Sequence, residues 1–304
     1  MRQPDFNELL RVLECKAPSR PTIFEFSLNH NIYNKVNDVS GDHQDGLTAD
    51  GLRARAFGHL GYDFLTTHAS DFRFPVKDAQ HGESSRSMNL TSMIHDRASF
   101  EAYPWPNPDQ HDYSRFDQVA SHLLPGMKII IHGPMGVLEH AIALVGYEDL
   151  CYIILDDPAL AKDVFDAIGS RLYRFYELGL QHPLVGAAIV NDDWGFATQT
   201  MLSPDQMRKY VFPWHKRIVE LIHKTNRPAI LHSCGQLEAV WEEIIEYLEF
   251  DGKHSYEDKI LPVEEAYERY GHRIAILGGM DLDFVCRRST AEIQARSKAM
   301  LERT

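Results

Sequence analysis

Pro228-Ala229-Ile230-Leu231-His232-Ser233-Cys234-Gly235 reads as a short apolar strand ending in a histidine and a cysteine two residues apart. Side chains on a strand alternate between faces, so His232 and Cys234 leave the same side. Imidazole and thiolate are donors that zinc prefers. Gly235 lets the backbone turn out of the strand with no Cβ in the way. In parallel α/β proteins the chemistry sits at the carboxyl ends of the strands, where this pair stands. An isolated His-x-Cys is better explained by two packed side chains, so the surroundings must decide.

Working outward, short β-rich runs alternate with amphipathic helices in both directions. The runs are 21–26, 61–67, 128–132, 185–190, the stretch quoted above, 250–254 and 274–278. Helical patterns fall between them at 52–60, 137–144, 158–180, 237–248 and 262–270. Two further helices announce their starts with capping boxes, Ser203 with Gln206 and Ser289 with Glu292, the first with Pro204 at its opening position. Strict alternation implies an α/β fold with a parallel sheet. The closed form of such a sheet is the (β/α)8 TIM barrel, and seven units leave it one short. Either a C-terminal unit is missing or something irregular near the N-terminus closes the barrel; the expectation is the former, a single barrel domain over 1–304 whose eighth β/α unit is missing from this chain. The stretch 71–126 is rich in Pro, Asn, Asp and Ser and includes Tyr103-Pro104-Trp105-Pro106-Asn107-Pro108. It reads as a long insertion after the second strand, either a lid or substrate wall or a surface loop with its own hairpin.

Bulk properties narrow the class. With 304 residues, 44% apolar and 25% charged, the chain can bury a substantial core. A net charge of −13 argues against attraction to nucleic acid or to an anionic membrane. No apolar run approaches the ~20 residues needed to cross a bilayer. The start of the chain, 1–17, is polar and helix-like, without the apolar segment of a signal peptide. Cys15, Cys151, Cys234 and Cys286 are far apart and form no disulfide framework, which fits a reducing cytoplasm.

The ends of the other strands supply further candidates. Asp192 and Asp193 close the fourth run; two adjacent carboxylates in a dry cleft repel, and one held protonated can take part in proton transfer. The alternative is that one of them caps the loop. Trp194 is either a stacking wall or core. His132 and Asp281 are placed to line a cleft or to make structural hydrogen bonds, and Glu25 and Thr67 follow from the same logic.

Seven separated pieces then match one pattern in order: Gly61-Tyr62-Asp63, the Tyr-Pro-Trp-Pro stretch, Ile131-His132-Gly133-Pro134, Asn191-Asp192-Asp193-Trp194-Gly195, Leu202-Ser203-Pro204, His232-Ser233-Cys234-Gly235 and Leu277-Gly278-Gly279-Met280-Asp281. From about residue 20 onward the chain resembles the uroporphyrinogen decarboxylase superfamily, and within it the corrinoid (cobalamin) methyltransferase branch. The resemblance implies a (β/α)8 barrel with an eighth strand and Gly-rich loop that this chain does not reach. It implies zinc held by the His-x-Cys pair, by a later cysteine and by a glutamate after the sixth strand. Glu257 is the matching glutamate, although an acid capping the next helix explains it nearly as well. The later cysteine has no counterpart, because Cys286 comes too early. The ligand set implied is therefore His232, Cys234 and Glu257, with an open position for a thiol.

That implies methyl transfer between a corrinoid protein and a thiol or similar acceptor, by an enzyme that in relatives can be a homodimer. Decarboxylases of the superfamily carry an Arg-Gln-x-Gly-Arg-Tyr motif after the first strand. Here that region, 25–33, has no arginine to grip a substrate with many carboxylates. Porphyrinogen decarboxylation and a non-catalytic barrel that binds a partner stand as the alternatives.

Overall fold

The computed structural model describes residues 2–40, 48–76, 88 and 92–304. Among these, six parallel strands form one sheet in chain order: β1 (Phe64–His68), β2 (Lys128–His132), β3 (Val185–Asn191), β4 (Ala229–His232), β5 (Gly252–His254) and β6 (Ala275–Leu277). These six coincide with the second to seventh runs of the sequence reading. Helical crossovers connect neighbouring strands, as parallel pairing requires.

The sheet curls toward a barrel. Four strand spacings would separate β1 from β5 by about 19 Å in a flat sheet. Yet the Phe24 ring lies 5.2 Å from Phe64 on β1 and 5.1 Å from His254 on β5. The architecture is therefore a partial TIM barrel. Its amino-terminal end is shut by the helix Phe6–Leu13, which buries Phe6, Leu9 and Leu13. Phe6 packs beside Gly186 of β3 and Leu13 beside Gly252 of β5, so the carboxyl end is the open one.

The first run, 21–26, does not join the ladder. It is extended, but it passes through the lumen and turns Phe24 and Phe26 onto the inner face of the sheet. Arg20 starts this path with two hydrogen bonds to the buried Asp63, at 2.6 and 3.2 Å. Thr66 of β1 then donates its hydroxyl to the Phe26 carbonyl at 2.6 Å. Two phenyl rings bury more apolar area inside the curl than on an outer edge, which overrides the strand pattern.

The helical layer follows its sequence cues. Asp157 caps Pro158–Gly179 by accepting from the Leu160 amide at 2.9 Å, and Pro158 opens the helix. Ser203 and Gln206 form the expected reciprocal box. The helix they start widens to a π turn over Met207–Val211 just before Pro213, which has no N–H to continue the normal ladder. The segment 237–248 contains a 3-10 turn, Glu238–Val240, and a π turn, Glu243–Tyr247. Part of the insertion expected at 71–126 lies outside the described residues. The remainder carries short helices at Arg97–Ala102 and Arg115–Ala120, and it packs Tyr103 and Phe116 into the core.

His140, on the helix Val137–Val145, is 3% exposed, and its Nδ1 donates to the Gly136 carbonyl at 2.7 Å. Burial pushes its pKa down to about 4. A folded pKa below the unfolded value means the native state binds fewer protons between pH 6.5 and 4, so stability falls as pH drops through that window. Urea melts from pH 7 to pH 4 should show wild type losing up to about 3 kcal/mol more than His140→Asn, which keeps a donor without the titration.

Candidate metal centre

Strand register builds the site. β3 pairs Asn191 with His232, and β4 pairs His232 with His254. Residues at one register level share a face, so all three point into the lumen. Asp193 and Cys234, two positions further on, follow them. One oxygen of Asp193, a ring nitrogen of His232 and the sulfur of Cys234 lie within 4.8 Å of one another. His232 Nε2 is 3.9 Å from Cys234 Sγ and 3.9 Å from Asp193 Oδ1. Nitrogen and sulfur ligands on tetrahedral zinc sit about 3.5 Å apart at normal bond lengths, so the spacing is close to ligating without rearrangement.

The turn after β4 keeps this spacing. Asp193 Oδ1 accepts from the Cys234 amide at 2.8 Å, tying the carboxylate to the cysteine backbone. Gly235 adopts φ +84°, and a Cβ there would stand 2.2 Å from the Gly195 carbonyl oxygen. The glycine is thus required both by its conformation and by the close approach.

Behind His232 stands His254, with 2.7 Å between the two Nδ1 atoms. Burial lowers the pKa of His254 to about 3 and depresses that of His232 as well, so both rings are neutral. One of the two Nδ1 atoms carries the shared hydrogen; the tautomer with it on His232 is the one that presents the Nε2 lone pair to the cluster, as a metal ligand needs. Burial, with the charge of Asp193 second, pushes the Cys234 thiol up to about 11. The Ser255 hydroxyl approaches its sulfur at 3.3 Å.

The other sequence candidates fall in different places. Glu257 is not among the three converging donors; its Oε1 accepts from the Gly235 amide at 3.3 Å. Asp193 holds the third position instead. Asp192 faces away from the lumen and is fully buried. Its oxygens accept from the amides of Leu138 and Glu139 at 3.0 and 2.9 Å, and from His215 Nε2 at 2.8 Å. That is a cap on the helix Val137–Val145, not a cleft position. Glu139 beside it is pushed up to about 8 by burial and then by the charge of Asp192.

Trp194 is buried between Phe212 and His215, at 5.3 and 4.9 Å, so it belongs to the core. Thr67 points away from the lumen; the neighbouring Thr66 is the one that meets the lumen segment. Asp281 caps Leu282–Arg287 through the Asp283 amide at 2.8 Å and accepts from the Asp258 amide at 3.2 Å. His132 does face the lumen, its ring 4.7 Å from Phe26 and 4.0 Å from His68. Glu25, between Phe24 and Phe26, is half-buried, its Oε1 accepting from the Phe26 amide at 2.9 Å, and burial raises its pKa.

Phe26, His254 and Ser255 were not singled out in the sequence. His254 carried a signal: a histidine closing the strand next to the His-x-Cys. Phe26 carried none, because its place depends on the segment leaving the ladder. Its ring lies 4.9 Å from His232 and 6.5 Å from His254, so it forms a wall of the cluster adjoining His254.

A curled parallel sheet with three metal-type donors at its carboxyl end places the chain among proteins of the TIM-barrel class. Residues 121–304, more than half of the chain, match the family described as uroporphyrinogen decarboxylase (URO-D). The chain belongs to that family. A methyltransferase from Methanosarcina mazei is similar in structure, with a TM-score of 0.69 at 15% identity over 97% of this chain and 88% of that one. At that identity the likeness concerns the fold. No curated protein matches the sequence. No helix among the described residues is long and apolar enough to cross a membrane.

If Asp192 is a cap, then Asp192→Asn should lower stability by about 1–3 kcal/mol, since its amide offers hydrogens where three donors converge. Zinc binding by the folded fraction should be unchanged. Denaturant melts paired with metal titration would check this, and weaker zinc binding at full stability would place Asp192 in the centre itself.

Proposed function

We propose that this chain is a zinc-dependent methyltransferase that moves a methyl group between a corrinoid protein and a thiol or similar acceptor. The observation that carries the reading is the convergence of Asp193, His232 and Cys234. The donor set of carboxylate, imidazole and thiolate fits zinc, and three protein ligands leave a fourth position for an acceptor. Zinc bound there would supply Lewis acidity that lowers the pKa of an incoming thiol, so that it attacks as thiolate at neutral pH.

The chain's own groups do the rest. His232, Cys234 and Asp193 would hold the ion, and His254 would keep the His232 lone pair turned toward it. Phe26 and His132 wall the lumen and exclude water from the acceptor sulfur. The family resemblance to the methyltransferase branch and the fold shared with the Methanosarcina mazei methyltransferase support the reaction class. Decarboxylation of a porphyrinogen is less well supported. A substrate with many carboxylates needs fixed cations, and the segment 25–33 offers no lysine or arginine.

Elemental analysis of protein purified with zinc should find about one ion per chain. Cys234→Ser, His232→Ala and Asp193→Asn should each lose most of it, while Glu257→Gln keeps it. Negligible metal in wild type, or equal metal in wild type and Cys234→Ser, would end the zinc reading. If zinc is present, a methylated corrinoid protein incubated with a thiol should yield the thioether only with wild type.

A further inference from the structure

Ser255 follows β5 with a φ of +83°, in the left-handed region that a residue with a Cβ seldom adopts. A conformation of this kind persists only when its surroundings hold it. What holds it here is Lys253, whose ammonium donates to the Ser255 carbonyl oxygen. Lys253 is itself 3% exposed. Its nitrogen lies 4.3 Å from the centre of the Tyr256 ring and 5.9 Å from that of Trp241. The Tyr256 hydroxyl donates to the Lys253 carbonyl at 3.3 Å, closing a small loop of contacts around the turn. The result is that Ser255 Oγ stands 3.3 Å from the sulfur of Cys234.

We propose that Ser255 is a positioning residue of the metal centre: its hydroxyl donates a hydrogen bond to the Cys234 sulfur, and Lys253 locks the left-handed turn that aims it. The proposal rests on the zinc reading above. A metal-bound thiolate has no hydrogen of its own, so in the loaded site the hydroxyl is the donor. Such a bond draws electron density from the sulfur and fixes the direction of its lone pairs. Partners of ligands act in this way elsewhere, and their loss commonly weakens metal affinity ten- to a hundred-fold.

Cobalt(II) substitution of the full chain gives a readout independent of turnover. Wild type should show a sulfur-to-cobalt charge-transfer band. In Ser255→Ala and Ser255→Gly the sulfur becomes more electron-rich, so the band should move to longer wavelength and cobalt should bind about 10-fold more weakly. Glycine tolerates the positive φ, so its variant separates loss of the hydroxyl from backbone strain. Lys253→Met, which removes the ammonium and keeps the stem, should shift the band the same way although the hydroxyl is intact. A wild-type band that neither Ser255 variant moves overturns the role of Ser255. A band moved by the Ser255 variants but not by Lys253→Met overturns the lock. The absence of any sulfur-to-cobalt band in wild type overturns the metal reading instead.

Discussion

The register of three neighbouring strands is the constraint on which the site depends. Because β3, β4 and β5 are parallel and pair Asn191, His232 and His254 at one level, Asp193 and Cys234, each two residues further on, emerge side by side. Ser255, one residue past His254, reaches them through its left-handed turn rather than through register. A slip of one residue in β4 would send His232 and Cys234 to the helix layer and bring Leu231 and Ser233 into the lumen. The site therefore inherits its precision from backbone hydrogen bonds that are themselves buried. The helix Phe6–Leu13 secures the same strands from below through Phe6 and Leu13. Chemistry at the open end is thus held by packing at the closed end.

Period two also explains how two adjacent aspartates come to different duties. Asp192 leaves the strand toward the helices and terminates a hydrogen-bond network of two helix amides and His215. Asp193 leaves toward the lumen and is tied to the Cys234 amide. A carboxyl group at a helix amino terminus meets free amides and the positive end of the helix dipole, so fully buried Asp192 has all the hydrogen-bond partners its place demands. The pair does not act as a shared-proton dyad, because the chain directs its members to opposite sides of the sheet. Fixing Asp192 on the helix Val137–Val145 anchors the backbone from which Asp193 projects.

Much of this was legible beforehand, and the exceptions have physical causes. Six strands, the capping boxes at Ser203 and Ser289 and the His-x-Cys face follow from local rules of alternation and capping. The segment 21–26 obeys the same alternation but not the same outcome, since joining a ladder depends on which partner is free and on what the lumen would otherwise hold. Phe24 and Phe26 fill that lumen. Asp193 was legible as a strand-end acid but not as the third donor. The reason is that Glu257 occupies a loop, and no spacing rule predicts that a loop carboxylate will settle on the Gly235 amide. Trp194 and Thr67 were misplaced for a simpler reason: the residue at a strand end faces in or out by parity, and parity is fixed only once the register is known.

Charge sets what such a cluster can accommodate. Were Cys234 to ligate as thiolate, it and Asp193 would bring two negative charges to within 4.8 Å of a neutral imidazole. Inside a protein two like charges so close repel strongly, and burial penalises the thiolate of Cys234 in addition. The nearest buried cation, Lys253, lies on the opposite face of β5 with its ammonium engaged by the Ser255 carbonyl, so it offsets this only in part. A proton on the sulfur removes one charge but leaves a weak ligand. A divalent ion placed among the three donors cancels both charges at once and replaces the lost hydration with direct coordination. The neutral His232–His254 pair adds no cation that would compete, which it would if either ring were protonated. The arrangement is therefore balanced for a dication, and that balance follows from the buried register of β3, β4 and β5.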